Sequence, residues 1–291
     1  LLKRIFLANI PLLFVLLWST GFIGAKYGLP YAEPYTLLFL RFVLTLVLLV
    51  VLIAYFKPAP PANWRQRLHL MVSGSLIHGA YLGGVFTSIK AGMPAGLCAL
   101  IVGLQPLLTT ISAPLLLGER VTRMQWLGVV LGLFGLTLIF AAGSNHAAAF
   151  NQHAAWAAVI ALLGITAGTL YQKKFCASNE ILSSAFFQYL STVVIFGLGA
   201  YLFESREIQL THQLIFAIFW LAIVLSIGAI LLLNHLIKHG EIHKVSSLFY
   251  LVPAVTALEA AWLFDEKLGI EKVAGMAIVT FSVFIVVRRG R

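Results

Sequence analysis

Ten long apolar runs separated by short polar breaks set the pattern of this chain. They cover roughly residues 5–27, 35–56, 68–90, 94–117, 124–142, 153–173, 181–203, 213–237, 243–264 and 270–287. A helix that crosses the hydrocarbon core needs about 20 mostly apolar residues. A β-barrel would instead show segments of about 10 residues that alternate apolar and polar. The runs are long and continuous, so the pattern predicts an all-α integral membrane protein with ten transmembrane helices. The breaks carry turn chemistry. Lys57-Pro-Ala-Pro-Pro61 interrupts runs two and three, and Gly92-Met-Pro94 ends run three and starts run four. There Gly is expected just past one helix and Pro just inside the next. The first run follows Lys3-Arg4 and exceeds the roughly 7–15 residues of a signal-peptide core, with no clear cleavage site, so a retained span is expected.

The polar and turn residues recur at a fixed distance. Pro106 and Pro253 are 253 − 106 = 147 residues apart, and Gly21/Gly168, Lys26/Lys173, Thr109/Thr256, Glu119/Glu266 and Gly128/Gly275 keep that spacing. In runs three and eight the spacing grows to 237 − 89 = 148, where Ile89-Lys90-Ala-Gly92 matches Ile237-Lys238-His-Gly240. Gly, Pro, Lys and Glu matches in one register are not cheap in an apolar chain. The expected organisation is a first five-helix repeat at 1–143, a connection at 144–152 and a second repeat at 153–291. Five is odd, so the second repeat is inserted upside down. Inverted repeats with a site near the midplane are a transporter architecture.

Composition agrees with a membrane chain. Hydrophobic residues make up 60% and charged residues 10% of the 291, with mean hydropathy +0.96. A soluble domain is about a quarter charged. The net charge of +10, from 20 Lys and Arg against 10 Asp and Glu, would suggest nucleic acid in a soluble protein. Here the basic residues lie in short loops and set orientation instead, so no nucleic-acid partner is expected. With the N-terminus inside, the outer side holds Lys26, Lys90, Arg206, Lys267 and Lys272. Arg41 lies within a span, and the inner side holds the other 20 − 5 − 1 = 14. Both termini are therefore expected in the cytoplasm. Cys98 and Cys176 lie in an apolar run and a basic loop and suggest no disulfide. No metal-ligand spacing exists, and no P-loop is present, so neither a metal nor another cofactor is expected and ATP does not drive the protein directly.

At this point the residues resemble a known family. Trp18-Ser-Thr-Gly21 with Lys26 closing run one, Arg41-Phe42 in run two, and the blocks Pro106…Gly118-Glu119 and Pro253…Asp265-Glu266 look like the drug/metabolite transporter superfamily, EamA type. The resemblance covers nearly the whole chain. Two departures stand in the second half. Gln188 replaces the Arg expected opposite Arg41, and Asp265 replaces the usual Gly before Glu266. The resemblance implies export or uptake of small metabolites such as amino acids, driven by gradients or by proton coupling.

The expected function is a secondary active transporter, an exporter of an amino acid or related amphipathic compound by alternating access. Its partners are the lipid bilayer and a small molecule; its place is the cell membrane, a bacterial inner membrane, as a multi-pass protein; its oligomeric state stays open, a monomer among the options. Glu259, inside run nine, is the proton-coupling candidate, since an intramembrane acid is a functional hypothesis by default. It also reads as a carboxylate near the outer end, paired with Lys26 or Lys267. The substrate-cavity candidates are Trp18, Ser19, Phe22, His78, Tyr81, Gln105, Thr109, Asn234 and Tyr250. Trp18 also reads as lipid-facing or packed core, and His78 equally as a satisfied interhelical histidine. Tyr81 and Val85 are expected on its helical face. Pro106 and Pro253 are candidate hinges. Lys26, Lys173, Glu119 and Glu266 are candidate gate charges, or plain snorkelling lysines and helix-end caps. Arg41 reads as an interfacial or structural arginine. Repeat symmetry fails at Ser112, which is matched by Glu259. A flippase for a lipid-linked intermediate fits the same architecture. An intramembrane enzyme would need a metal cluster or a nucleophile–base set, whereas the polar residues here are single and scattered; a structural assembly factor is a third alternative.

Overall fold

A computed structural model describes residues 2–117, 122–144, 151–176, 179–229, 252–266 and 269–288. Over these residues the chain is helical, and its only β pairing is an isolated bridge between Ala32 and Ile208. In lipid each backbone N–H and C=O must find a partner within the protein, which long apolar helices supply. The elements are α1 (Leu2–Gly28), α2 (Pro34–Phe56), α3 (Trp64–Gly74), α4 (Tyr81–Lys90), α5 (Ala95–Val102), α6 (Gln105–Leu117), α7 (Arg123–Ser144), α8 (Gln152–Phe175), α9 (Ile181–Phe203), α10 (His212–Phe219), α11 (Val252–Phe264) and α12 (Ile270–Arg288). Five described helical stretches are long and apolar enough to cross a membrane, with Pro34–Phe56 reaching a mean hydropathy of 3.0.

Two features depart from plain α-helical spans. First, π-helical segments at Ser75–Ala80 and Trp220–Ala229 lie between α3 and α4 and after α10. They fall at equivalent places in the two repeats. The i→i+5 bonding of a π segment changes the angular step, so the single α-helical face expected for His78, Tyr81 and Val85 does not run through it. Second, run four breaks at Gly103-Leu104. Leu104 N donates to Ile101 O (3.1 Å) and Leu107 N to Leu104 O (2.9 Å). Pro106 is thus the second residue of α6 rather than a kink inside one helix. In a first turn its missing N–H costs nothing. Pro94 is likewise the N-cap of α5 rather than its first helical residue, while Gly92 takes φ +98 as a residue past a helix end. Asp265 follows α11 at φ 52. That left-handed conformation suits Gly, and Asp is among the residues that tolerate it.

The helices group into two compact units. One combines Leu1–Ile23, Gly92–Gln152 and Gly228–Arg291; the other combines Gly24–Ala91 and His153–Ile227. We call them unit 1 and unit 2. Each draws on both sequence halves. In unit 1, α7 packs along α12. Gly132 meets Ser282 and Gly135 meets Val279, where 279 − 132 = 282 − 135 = 147. Residue i thus meets the mate of j while j meets the mate of i, which is the mark of a two-fold relation. Small residues at such a seam let helix backbones approach closely.

In unit 2, α2 and α3 pack on α9, and Gly74 lies directly against the backbone of Gln188, leaving no room for a side chain. One end of the unit is tied by loops. Glu204 accepts from Tyr35 N (2.7 Å), Thr36 N (2.8 Å) and Thr36 Oγ1 (2.8 Å), capping α2 with a carboxylate. Glu33 reciprocates by accepting from Ser205 N (2.7 Å), Ser205 Oγ (2.9 Å) and Arg206 N (3.2 Å), and Lys90 Nζ donates to Leu29 O (2.7 Å). At the other end Ser183 Oγ donates to Ala59 O (2.8 Å).

Candidate functional site

Unit 2 buries a cation. Arg41 in α2 is 7% exposed. Its Nε and Nη2 donate to Ser226 Oγ at 3.2 and 3.1 Å. Ser226 donates its own hydrogen to Leu221 O (3.0 Å), within the second π segment, and the Tyr189 hydroxyl donates to Ser226 O (3.2 Å). Repeat mates explain the surroundings. Gln188 is the mate of Arg41 (188 − 41 = 147) and Ser226 is the mate of His78 (226 − 78 = 148). The mates lie together as the originals do: the Gln188 side chain is beside His78, while its Nε2 donates to Ser73 Oγ (3.3 Å).

Phe42 and Tyr189, themselves mates, pack with ring centroids 5.0 Å apart. The His78 ring lies 5.7 Å from Phe42 and 4.8 Å from Tyr189. Thr45 and Thr192 donate back to Arg41 O (2.8 Å) and Gln188 O (2.7 Å), one copy of a bond in each repeat. The inverted repeat is therefore built in space within this unit. It breaks at Arg41/Gln188, a guanidinium against an amide, and at His78/Ser226, an imidazole against a hydroxyl.

Unit 1 holds a half-buried carboxylate. Glu259 in α11 has Oε1 2.9 Å from Ser19 Oγ. Ser19 is fully buried and its Oγ is also 2.8 Å from Leu16 O. Glu259 Oε2 is enclosed and has no hydrogen-bond partner. A serine hydroxyl carries one hydrogen, so it cannot fully serve both a carbonyl and a carboxylate. A proton on Glu259 removes the conflict, because the acid then donates to Ser19 while Ser19 donates to Leu16. Among the described residues no lysine or arginine pairs with Glu259, and Lys267, one of its two expected partners, lies outside them. Thr256 lies three residues earlier on the same face of α11, and its mate Thr109 lies in α6. Both bury hydroxyl oxygens with no partner. Buried polar atoms without partners are rare and call for a reason.

Other expected residues are placed more plainly. Phe22 is buried and Trp18 half-buried on α1, beside Ser19. Gln105 opens α6, and Pro253 packs against Gly103 at the break between α5 and α6. Glu266 accepts from Ala95 N (3.1 Å) at the start of α5, which is a helix-cap contact. Tyr81 is 9% exposed, next to Gly164 of α8. Lys26 is half-buried near the end of α1, and Lys173 is exposed near the end of α8. Glu119, Asn234 and Tyr250 lie outside the described residues. Sequence reasoning missed Ser226 and Tyr189. The 148 spacing from His78 was the signal that could have found Ser226.

Apolar helices of membrane length, seams of repeat mates and buried ionisable groups within spans define a multi-pass membrane transporter. The model of the EamA-like transporter family matches residues 4–141 and 152–288, and this chain belongs to that family. It is similar to a probable amino-acid metabolite efflux pump of Salmonella typhimurium (strain LT2), with 28% identity covering 95% of this chain and 93% of that protein. The probable amino-acid metabolite efflux pump of Escherichia coli (strain K12) is 27% identical over 93% of this chain and 91% of its own length. A solved structure with 18% identity covers 98% of both chains at a TM-score of 0.67 and shares the fold. The protein is a transporter rather than an enzyme, set in a lipid bilayer and acting on a small molecule.

Proposed function

We propose that this chain exports an amino acid or a related amphipathic metabolite by alternating access, as a ten-span secondary transporter with both termini in the cytoplasm, coupled to protons at Glu259. The names of its relatives support the substrate class. The observation that carries the coupling is the Ser19–Glu259 contact of 2.9 Å, with Oε2 enclosed and unpartnered. This hydrogen-bond inventory closes with a proton and stays open without one. A neutral acid is tolerated in a dry setting, whereas an ionised carboxylate needs a partner. Protonation therefore switches what α11 requires of its neighbours. The break at Gly103-Leu104, packed on Pro253, supplies a joint where helix segments change angle without breaking an interior hydrogen bond.

The test is uptake of radiolabelled amino acids into proteoliposomes with an acidic interior. Wild type accumulates at least one amino acid above its external level, and Glu259→Gln only equilibrates it. Absence of gradient-driven accumulation for every amino acid, or equal accumulation by Glu259→Gln, overturns the proposal.

A further inference from the structure

Arg41 is a buried charge that unit 2 leaves unbalanced. A guanidinium has five N–H donors. Two converge on a single oxygen, Ser226 Oγ, at 3.2 and 3.1 Å. That serine is a neutral acceptor whose own hydrogen is committed to Leu221 O, so it aims the guanidinium without offsetting its charge. Three donors remain, two on Nη1 and one on Nη2. With 7% exposure, the residue has little access to water. Among the described residues no carboxylate pairs with it. The Phe42 ring lies 5.1 Å from its Cζ, and Tyr189 and Tyr81 are the titratable groups whose fields reach it. A buried charge without a partner is expensive.

The repeat shows that packing does not demand this charge. At the equivalent place in the same unit stands Gln188, whose Nε2 donates to Ser73 Oγ (3.3 Å), with the same threonine bond to its carbonyl. One half meets the structural need with a neutral amide. The other carries a fixed cation, pointed by a serine, with a free edge suited to two-pronged contact with an anion.

We propose that Arg41 binds the carboxylate group of the transported molecule through its Nη1 and Nη2 edge, with Ser226 as the positioning residue and the rings of His78, Tyr81 and Tyr189 as its surroundings. This deepens the transporter reading and rests on it. A zwitterionic or acidic metabolite enters; its amide does not.

The test is binding to the purified full chain in detergent, read as a ligand-induced rise in unfolding temperature. The probes are the twenty amino acids, the carboxamide of each one that binds, 3-phenylpropionate as a carboxylate without an amine, and inorganic phosphate. At least one amino acid stabilises wild type, and its carboxamide does not. Arg41→Gln, which copies the residue at the mate position, does not lower the unliganded unfolding temperature and weakens that binding by about 10- to 100-fold. Arg41→Lys, which keeps the charge but loses the fork, binds between the two. The proposal is overturned if no amino acid binds, if carboxamides bind equally, if phosphate binds and amino acids do not, or if Arg41→Gln retains wild-type affinity. Binding by 3-phenylpropionate extends the substrate class to simple carboxylates, and its failure confines the class to amino acids; both keep Arg41 as the anchor. Arg41-dependent binding with no gradient-driven accumulation sinks the coupled-transport reading alone. Gradient-driven accumulation that survives Arg41→Gln sinks the anchor alone.

Discussion

Units 1 and 2 each set one ionisable side chain from within a span against one serine. In both, the serine hydroxyl also reaches a carbonyl of its own helical segment: Ser19 to Leu16 O at 2.8 Å and Ser226 to Leu221 O at 3.0 Å. The outcomes differ because the partners differ. Arg41 is a donor, so Ser226 can accept from it and keep its own hydrogen for the main chain. Glu259 is an acceptor, so Ser19 faces two acceptors with one hydrogen. The same local geometry gives a settled contact around a permanent charge in unit 2. In unit 1 it gives a contact that needs an added proton. A transporter that couples protons to a metabolite requires both: a fixed site of recognition and a group that titrates.

The comparison breaks most sharply at the mate of Arg41. Gln188→Arg would add a second buried cation to unit 2 with no counter-charge, at a cost of about 3–5 kcal/mol for an uncompensated charge. Thermal unfolding in detergent should show a large fall, whereas Arg41→Gln, which removes an unbalanced charge, does not lower the unfolding temperature. Equal destabilisation by both would mean that Arg41 is a packing residue. A smaller effect separates the serines. Ser226→Ala removes the oxygen that aims the guanidinium and lowers amino-acid affinity about tenfold, or about 1.4 kcal/mol. Ser19→Ala leaves that affinity unchanged and reduces gradient-driven accumulation. A fall in affinity for both would merge the two roles.

The smallest effect sharpens the contrast between charges inside and outside the spans. At Glu33 burial pushes the carboxyl up, but hydrogen bonds from Ser205 and Arg206, with the charge of Lys90, outweigh it and hold Glu33 below its ordinary value of 4.5. A lowered value means the ionised form stabilises the fold. That contribution is present above pH 4.5 and is lost as pH falls through the lowered native value. Amide exchange at Ser205 and Arg206 should rise on acidification in wild type and be pH-insensitive, after correction for intrinsic exchange, in Glu33→Gln.

Much of the fold was legible because lipid leaves few options. Apolar runs of membrane length must become helices, and they did so over their described residues. The spacing of Gly, Pro, Lys and Glu marked a repeat whose mated positions pair crosswise, Gly132 with the mate of Gly135 and Gly135 with the mate of Gly132. Glu259 stood out as an acid inside an apolar run. Its partner did not, since Ser19 is 240 residues away and packing alone brings them together. Arg41 looked structural because its partner Ser226, 185 residues distant, carries no charge to flag it. The π segments were hidden because their residues are ordinary helix formers, and the bonding pattern departs from the α register only in the fold. Pro106 suggested a kink inside one helix, but the helix stops at Gly103-Leu104 and Pro106 falls in the first turn of the next.

The central claim is that Glu259 carries the coupling proton while Arg41 carries the substrate, and one assay separates them. Proteoliposomes are loaded with the amino acid that binds, and exchange of labelled for unlabelled amino acid is measured with no pH gradient, then with an acidic interior. The account predicts that Glu259→Gln exchanges like wild type yet gains nothing from the gradient, and that Arg41→Gln does neither. Gradient-driven accumulation by Glu259→Gln at the wild-type level would contradict it.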